Sequence, residues 1–145
     1  MKKFQFHLQK VIDMKEKNRE QVEWSYANLL NDLQDEEKKL SGLFFDKQRI
    51  ESLLSMEQQK GISIVEIQQI RDYLTYIELQ IKLQKEMIEQ TKKKLREKKE
   101  QLKEVRIEEK IWQNFREKKL QEYLLESDRN EQKEMDELAT YRSYY

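Results

Sequence analysis

No proline and no cysteine occur in the 145 residues, which hold only two glycines and one histidine. Without proline nothing forces a helix to stop, because proline alone both removes a backbone donor and clashes with the turn before it. Two glycines leave little of the turn chemistry that a many-stranded sheet requires. The lack of cysteine excludes a disulfide framework and a thiolate metal site, and is compatible with a reducing compartment. The one histidine, His7, stands near an end, far from any partner for acid–base or metal chemistry. No run of about 18 apolar residues is present to span a bilayer. The basic start Met1-Lys2-Lys3-Phe4-Gln5-Phe6-His7 lacks the uninterrupted apolar stretch of a secretory signal. The expectation is a cytoplasmic, non-enzymatic protein without cofactor or metal.

What is present is charge, at 40% of residues, against 37% apolar. That balance suits long helices with narrow apolar seams. From Leu8 to Leu54, fourteen positions spaced alternately four and three apart include ten apolar residues, interrupted by Lys15, Arg19, Glu36 and Lys47. From Ile67 to Trp112 the same test again gives ten of fourteen, interrupted by Gln84, Thr91, Lys98 and Glu109. A seven-residue apolar repeat is the seam of a coiled coil. The sustained spacing and the equal count of 29 acids and 29 bases argue against disorder.

Between the two seams stands Lys60-Gly61-Ile62-Ser63-Ile64-Val65-Glu66-Ile67. Gly61 is free to take the left-handed conformation that closes a helix. Ser63 and Glu66 have the spacing of an N-cap and its N3 partner, and Ile62 and Ile67 that of a hydrophobic staple. The chain is therefore expected to be all-α: a single two-helix antiparallel coiled-coil hairpin over 1–145, with helix one at about 4–59, a turn at 60–63 and helix two at about 64–140. Counting outward from the turn sets Leu54 opposite Ile67 and Leu8 level with Gln113. The second helix then overhangs at its C-terminal end, where Glu126–Lys133 is polar enough to fray.

Residues 82–119 carry fourteen bases and eight acids, and residues 120–145 seven acids and three bases. Glutamates interleaved with Lys92-Lys93-Lys94 and Lys98-Lys99 break any continuous track for phosphate, so nucleic acid is not an expected partner. Pairs such as Asp13/Lys17 and Glu89/Lys93 build an ordinary solvated face. Off the seam, Tyr73, Tyr76, Leu83 and Met87 form a stripe, and Phe44 and Phe45 come level with it; they either thicken the hairpin or form a docking patch. Trp24, Trp112 and Phe115 are expected to pack across the coil. Gly42, within the first helix, suggests a bend or a close approach.

The start Phe4-Gln5-Phe6-His7-Leu8-Gln9-Lys10-Val11-Ile12-Asp13-Met14-Lys15-Glu16 resembles the opening of the FliJ family, soluble coiled-coil proteins of the flagellar type III export apparatus. Gly61-Ile62-Ser63-Ile64-Val65-Glu66-Ile67 with Tyr73-Leu74 and Ile77-Glu78 is similar to that family's hairpin turn. Glu131-Gln132-Lys133-Glu134-Met135-Asp136-Glu137-Leu138-Ala139 is similar to its C-terminal signature. The resemblance implies a non-catalytic protein shaped like the central stalk of rotary ATPases, monomeric when free. It implies a hexameric export ATPase bound at the open end, with Phe4, Phe6, Leu8, Lys133, Asp136 and Glu137 as candidates. It also implies contact with the membrane export gate, with Phe44, Phe45, Tyr73, Tyr76, Ile77, Gln80 and Gln84 as candidates, and contact with export chaperones. Residues Gly61, Ile62, Ser63, Glu66 and Ile67 keep a structural role. Location follows from the partners: cytoplasmic, held peripherally at the inner face of the membrane at the flagellar base. A generic antiparallel coiled-coil chaperone or adaptor fits the hairpin equally well, whereas a parallel spacer needs continuous helix through Gly61.

Overall fold

Two helices account for nearly all of the chain: α1 over Gln9–Lys60 and α2 over Ile64–Tyr144. The computed structural model describes residues 3–144, so Met1, Lys2 and Tyr145 of the expected hairpin lie outside the described residues. The helices pack antiparallel as a helical hairpin. Contacts divide it into two units, the described residues of Met1–Val22 with Gln101–Tyr145, and Glu23–Glu100.

The turn forms by the chemistry its residues prescribe. Gly61 takes φ 76°. Its N–H donates to Gln58 O at 3.3 Å and that of Ile62 to Glu57 O at 3.4 Å, the paired bonds of a Schellman closure. Ser63 then opens α2: its hydroxyl accepts from Glu66 N–H at 3.2 Å and its carbonyl from Ile67 N–H at 3.1 Å. The half of the capping box that forms is the serine's.

Within the unit of Glu23–Glu100, Ile50, Ile77 and Ile81 are the buried centre, with Leu40, Leu43, Ile70 and Leu74 packed around them. Gln84, Ile88, Thr91 and Leu95 continue the buried column along α2. In the other unit Ile12, Val22, Leu102, Val105 and Glu109 are buried. All of these are seam positions. Each fully buried isoleucine stabilises by roughly 1.5–3 kcal/mol relative to exposure, so a seam two residues wide suffices for a long hairpin.

Antiparallel pairing shows in the side-chain bonds. Gln9 accepts from Arg116 at 2.9 Å and Lys15 pairs with Glu108 at 2.9 Å in one unit; Lys47 pairs with Glu78 at 3.7 Å in the other. Counting from the turn puts Trp112 or Gln113 opposite Gln9, and Leu74 or Thr75 opposite Lys47. Long polar side chains reach one helical turn along the neighbour, which accounts for the difference.

Three expectations need correction. Helix α1 begins at Gln9, not near Phe4. Trp24 does not pack across the coil, being 70% exposed on the face away from the seam. Gly42 marks no close approach, since a Cβ built there meets nothing within 4 Å. Helix α2 takes in Glu126–Lys133 and runs to Tyr144, a few residues past the expected end.

Candidate interaction surfaces

The start of the chain alternates. Phe4 and Leu8 are half-buried and Phe6 is buried, while Lys3, Gln5 and His7 are exposed. Residues 3–6 carry no regular secondary structure, and His7 and Leu8 turn into α1, so the alternation marks a segment ahead of the helix with one face covered. The covering surface is α2. The Phe6 ring meets Phe115 edge-on at 5.7 Å, Trp112 meets Phe115 at 6.1 Å, and Phe4 lies against Tyr123 at 5.5 Å. The Arg116 guanidinium stands 5.6 Å over the Phe4 ring and the Lys119 ammonium 5.6 Å over that of Phe115. Residues 3–8 thus form a strap along two turns of α2.

Past Tyr123 the helix changes character. Leu124, Leu125, Met135, Leu138, Tyr141 and Tyr144 are all exposed, with Lys133, Asp136 and Glu137 among them. This bare segment is about 30 Å long at 1.5 Å per residue. Its local bonds are those of a solvated helix, such as Gln132 to Asp136 at 3.3 Å and Thr140 to the Asp136 carbonyl at 2.8 Å. The residues expected at the open end therefore fall into two sets. Phe4 and Phe6 are engaged with α2 and Leu8 is half-buried, while Lys133, Asp136 and Glu137 face solvent.

The candidates in the other unit also separate. Ile77 is 2% exposed and Gln84 is buried, donating to the Glu36 carbonyl at 3.0 Å; both belong to the seam. Tyr73 and Tyr76 are exposed with their rings stacked at 6.2 Å, and Leu83 and Met87 are exposed on the same stripe, beside the half-buried Gln80. Spacings of three and four residues place 73, 76, 80, 83 and 87 on one flank of the seam. Phe44 belongs to the opposite flank, where its ring takes the Lys85 ammonium at 5.3 Å, beside the Lys47–Glu78 pair. Phe45, 66% exposed, continues outward from it. Two surfaces therefore exist where the sequence suggests one. The reason is antiparallel geometry, which sets residues that share a level on either side of the core.

Sequence reasoning passed over the polar layer inside the seam. Thr91 donates to Glu36 Oε1 at 2.9 Å beside the Gln84 bond, and Glu36 Oε2 is buried without a hydrogen-bond partner. Farther along α2, Arg19 pairs with the buried Glu109 in its own unit. The signal was available, since these are the seam positions that break the apolar pattern. Among the described residues no cluster of three or more His, Asp or Glu could hold a metal ion, and no helix is long and apolar enough to cross a membrane.

Residues 4–144 match the family of the flagellar FliJ protein. The chain belongs to the FliJ family. Its sequence is 24% identical over 136 residues to the flagellar FliJ protein of Bacillus subtilis (strain 168), a match that covers 94% of this chain and 92% of the relative. No solved structure gives a significant match. The FliJ match takes in the strap, the turn and the bare end of α2 together, so each of these surfaces lies within the family's own extent.

Proposed function

We propose that this chain is a non-catalytic stalk and escort component of flagellar type III export, bridging the hexameric export ATPase and the membrane export gate. The observation that carries the proposal is the bare segment of α2 after Tyr123, which exposes apolar and acidic side chains with no helix of its own chain against them. A helix that polar, extended without a partner, has little intrinsic reason to stay ordered, and a surrounding protein ring supplies one. Lys133, Asp136 and Glu137 are the residues assigned to the ATPase. The Tyr73–Tyr76 flank serves the export gate, and the Phe44–Phe45 flank is a second surface for the gate or for export chaperones. The protein works in the cytoplasm, monomeric when free, and reaches the inner face of the membrane only through these partners.

The test is ATP hydrolysis and ring assembly by the purified export ATPase of the same cell. Added full-length protein is expected to raise both, and a chain ending at Tyr123 to raise neither. No effect of the full-length chain would leave a generic coiled-coil adaptor as the better account.

A further inference from the structure

Two lines of residues spaced alternately four and three apart run along α2 past the point where its pairing ends. One is the seam. Through Glu109, Arg116 and Tyr123 it meets Arg19, Gln9 and Phe4. Beyond Tyr123 it continues as Glu126, Asn130, Lys133, Glu137 and Thr140, without one apolar residue. The second line lies roughly 150° around the helix, on its back. Before Tyr123 it is polar and exposed, with Lys110, Asn114, Glu117 and Gln121; after Tyr123 it becomes Leu124, Asp128, Glu131, Met135 and Leu138. Leu124, Met135 and Leu138 are each more than half exposed. The apolar face of α2 thus changes sides where its partner helix runs out.

A solvated helix needs no apolar face, and one that appears on a new side is placed for something other than α1. That face is also acidic, since Asp128 and Glu131 stand within it while the nearby bases Arg129 and Lys133 lie off it. A second copy of the chain is a poor cover. Pairing through one shared face is isologous and would set Asp128 and Glu131 against their own counterparts.

We propose that the bare end of α2 is held by this back face, and that the surface it meets is an apolar wall carrying lysine or arginine opposite Asp128 and Glu131. The proposal rests on the ATPase reading above and adds to it the side of the helix and the chemistry of the ring wall. Lys133 and Glu137, on the seam line, meet a surrounding ring from the opposite side.

The test titrates full-length variants into the purified export ATPase and reads the concentration that gives half-maximal stimulation of hydrolysis, with circular dichroism as the control for helicity. Glu131→Lys is expected to raise that concentration about tenfold by setting like charge against like. Glu126→Lys, the same change of charge on the seam line, should leave it within about threefold. Met135→Ser with Leu138→Ser should raise it at unchanged helicity. Equal effects of Glu131→Lys and Glu126→Lys, or none from either, overturn the basic wall at the back face while the ATPase reading stands. An unaltered Met135→Ser/Leu138→Ser chain overturns the apolar contact. No stimulation by the wild-type chain removes the ATPase reading, and this proposal with it.

Discussion

Arg19 on α1 donates to Glu109 on α2 at positions where the seam otherwise asks for leucine or isoleucine. Glu109 is buried, and its second oxygen accepts from Gln113 at 3.1 Å. A buried pair of this kind stabilises little over apolar residues, yet removing one member leaves the other stranded. Arg19→Ala is expected to destabilise by about 3 kcal/mol, because Glu109 is left buried with its charge uncompensated. Glu109→Ala should be milder, at about 1 kcal/mol, since the arginine can turn its head outward. Arg19→Leu with Glu109→Leu should return to the wild-type value or exceed it. Urea unfolding of the four chains in one buffer checks the order.

The polar layer at Glu36 makes a separate prediction. Its Oε2 is buried without a partner, while Gln84 bonds its backbone carbonyl and not its side chain. Glu36→Leu therefore keeps the Gln84 bond and removes an unsatisfied carboxylate oxygen. Thr91, which loses an acceptor, can turn to a carbonyl in its own helix. The expected result is a gain of about 1–2 kcal/mol. The compensating loss is specificity, since polar seam residues fix register and oligomeric state. Sedimentation of Glu36→Leu with Gln84→Leu should reveal more self-association than wild type shows. A double variant that stays monomeric would remove this role from the layer.

The two glycines should respond in opposite directions. Gly42 sits in the middle of α1 with open space where a Cβ would be, so Gly42→Ala should stabilise by about 1 kcal/mol. Gly61 is at φ 76°, where an L side chain is strained, so Gly61→Ala should destabilise by about 1–2 kcal/mol. Ser63→Ala should lose about 1 kcal/mol with the cap. Thermal melts of the three variants separate a turn residue from a replaceable helical one.

The heptad pattern carries the helices, their seam and the turn, because each is a local rule written at consecutive positions. It also carries the interrupted positions Arg19, Glu36, Gln84, Thr91 and Glu109, although not their bonds, which depend on which residues of the other helix come within reach. The strap was legible only as the alternation of Phe4, Phe6 and Leu8, a signal of three residues that is outweighed by the long helical pattern after it. The division of the aromatics into two flanks was not legible from level alone. Phe44 and Tyr76 lie near the same level of the hairpin, yet the core stands between them, and only the contacts of Lys85 and Glu78 reveal the side to which Phe44 belongs.

That division can be measured. Tyr73→Ala with Tyr76→Ala removes an exposed stacked pair, so stability should change by no more than about 0.5 kcal/mol. Binding to the export gate should fall. Phe44→Ala with Phe45→Ala likewise should spare helicity, but it acts on the other flank. If one partner covers both flanks, each pair weakens the same interaction; if two partners share the hairpin, each pair weakens only one. Loss of folding in the tyrosine pair would return those rings to the core and remove the surface.

Truncation after Tyr123 separates stability from function most cleanly. From Leu124 onward the described residues are exposed apart from the half-buried Ser127, and none is a buried apolar residue of the seam. Its removal should leave the unfolding midpoint within about 0.5 kcal/mol of wild type, because exposed helix ends contribute little to global stability. The contacts of Phe4 and Phe6 should stay as well, since Phe115, Arg116 and Tyr123 are retained. Stimulation of the export ATPase, by contrast, should disappear. A truncated chain that unfolds earlier would show that the bare helix is ordered by contacts of its own, and its exposed apolar side chains would then no longer argue for a surrounding partner.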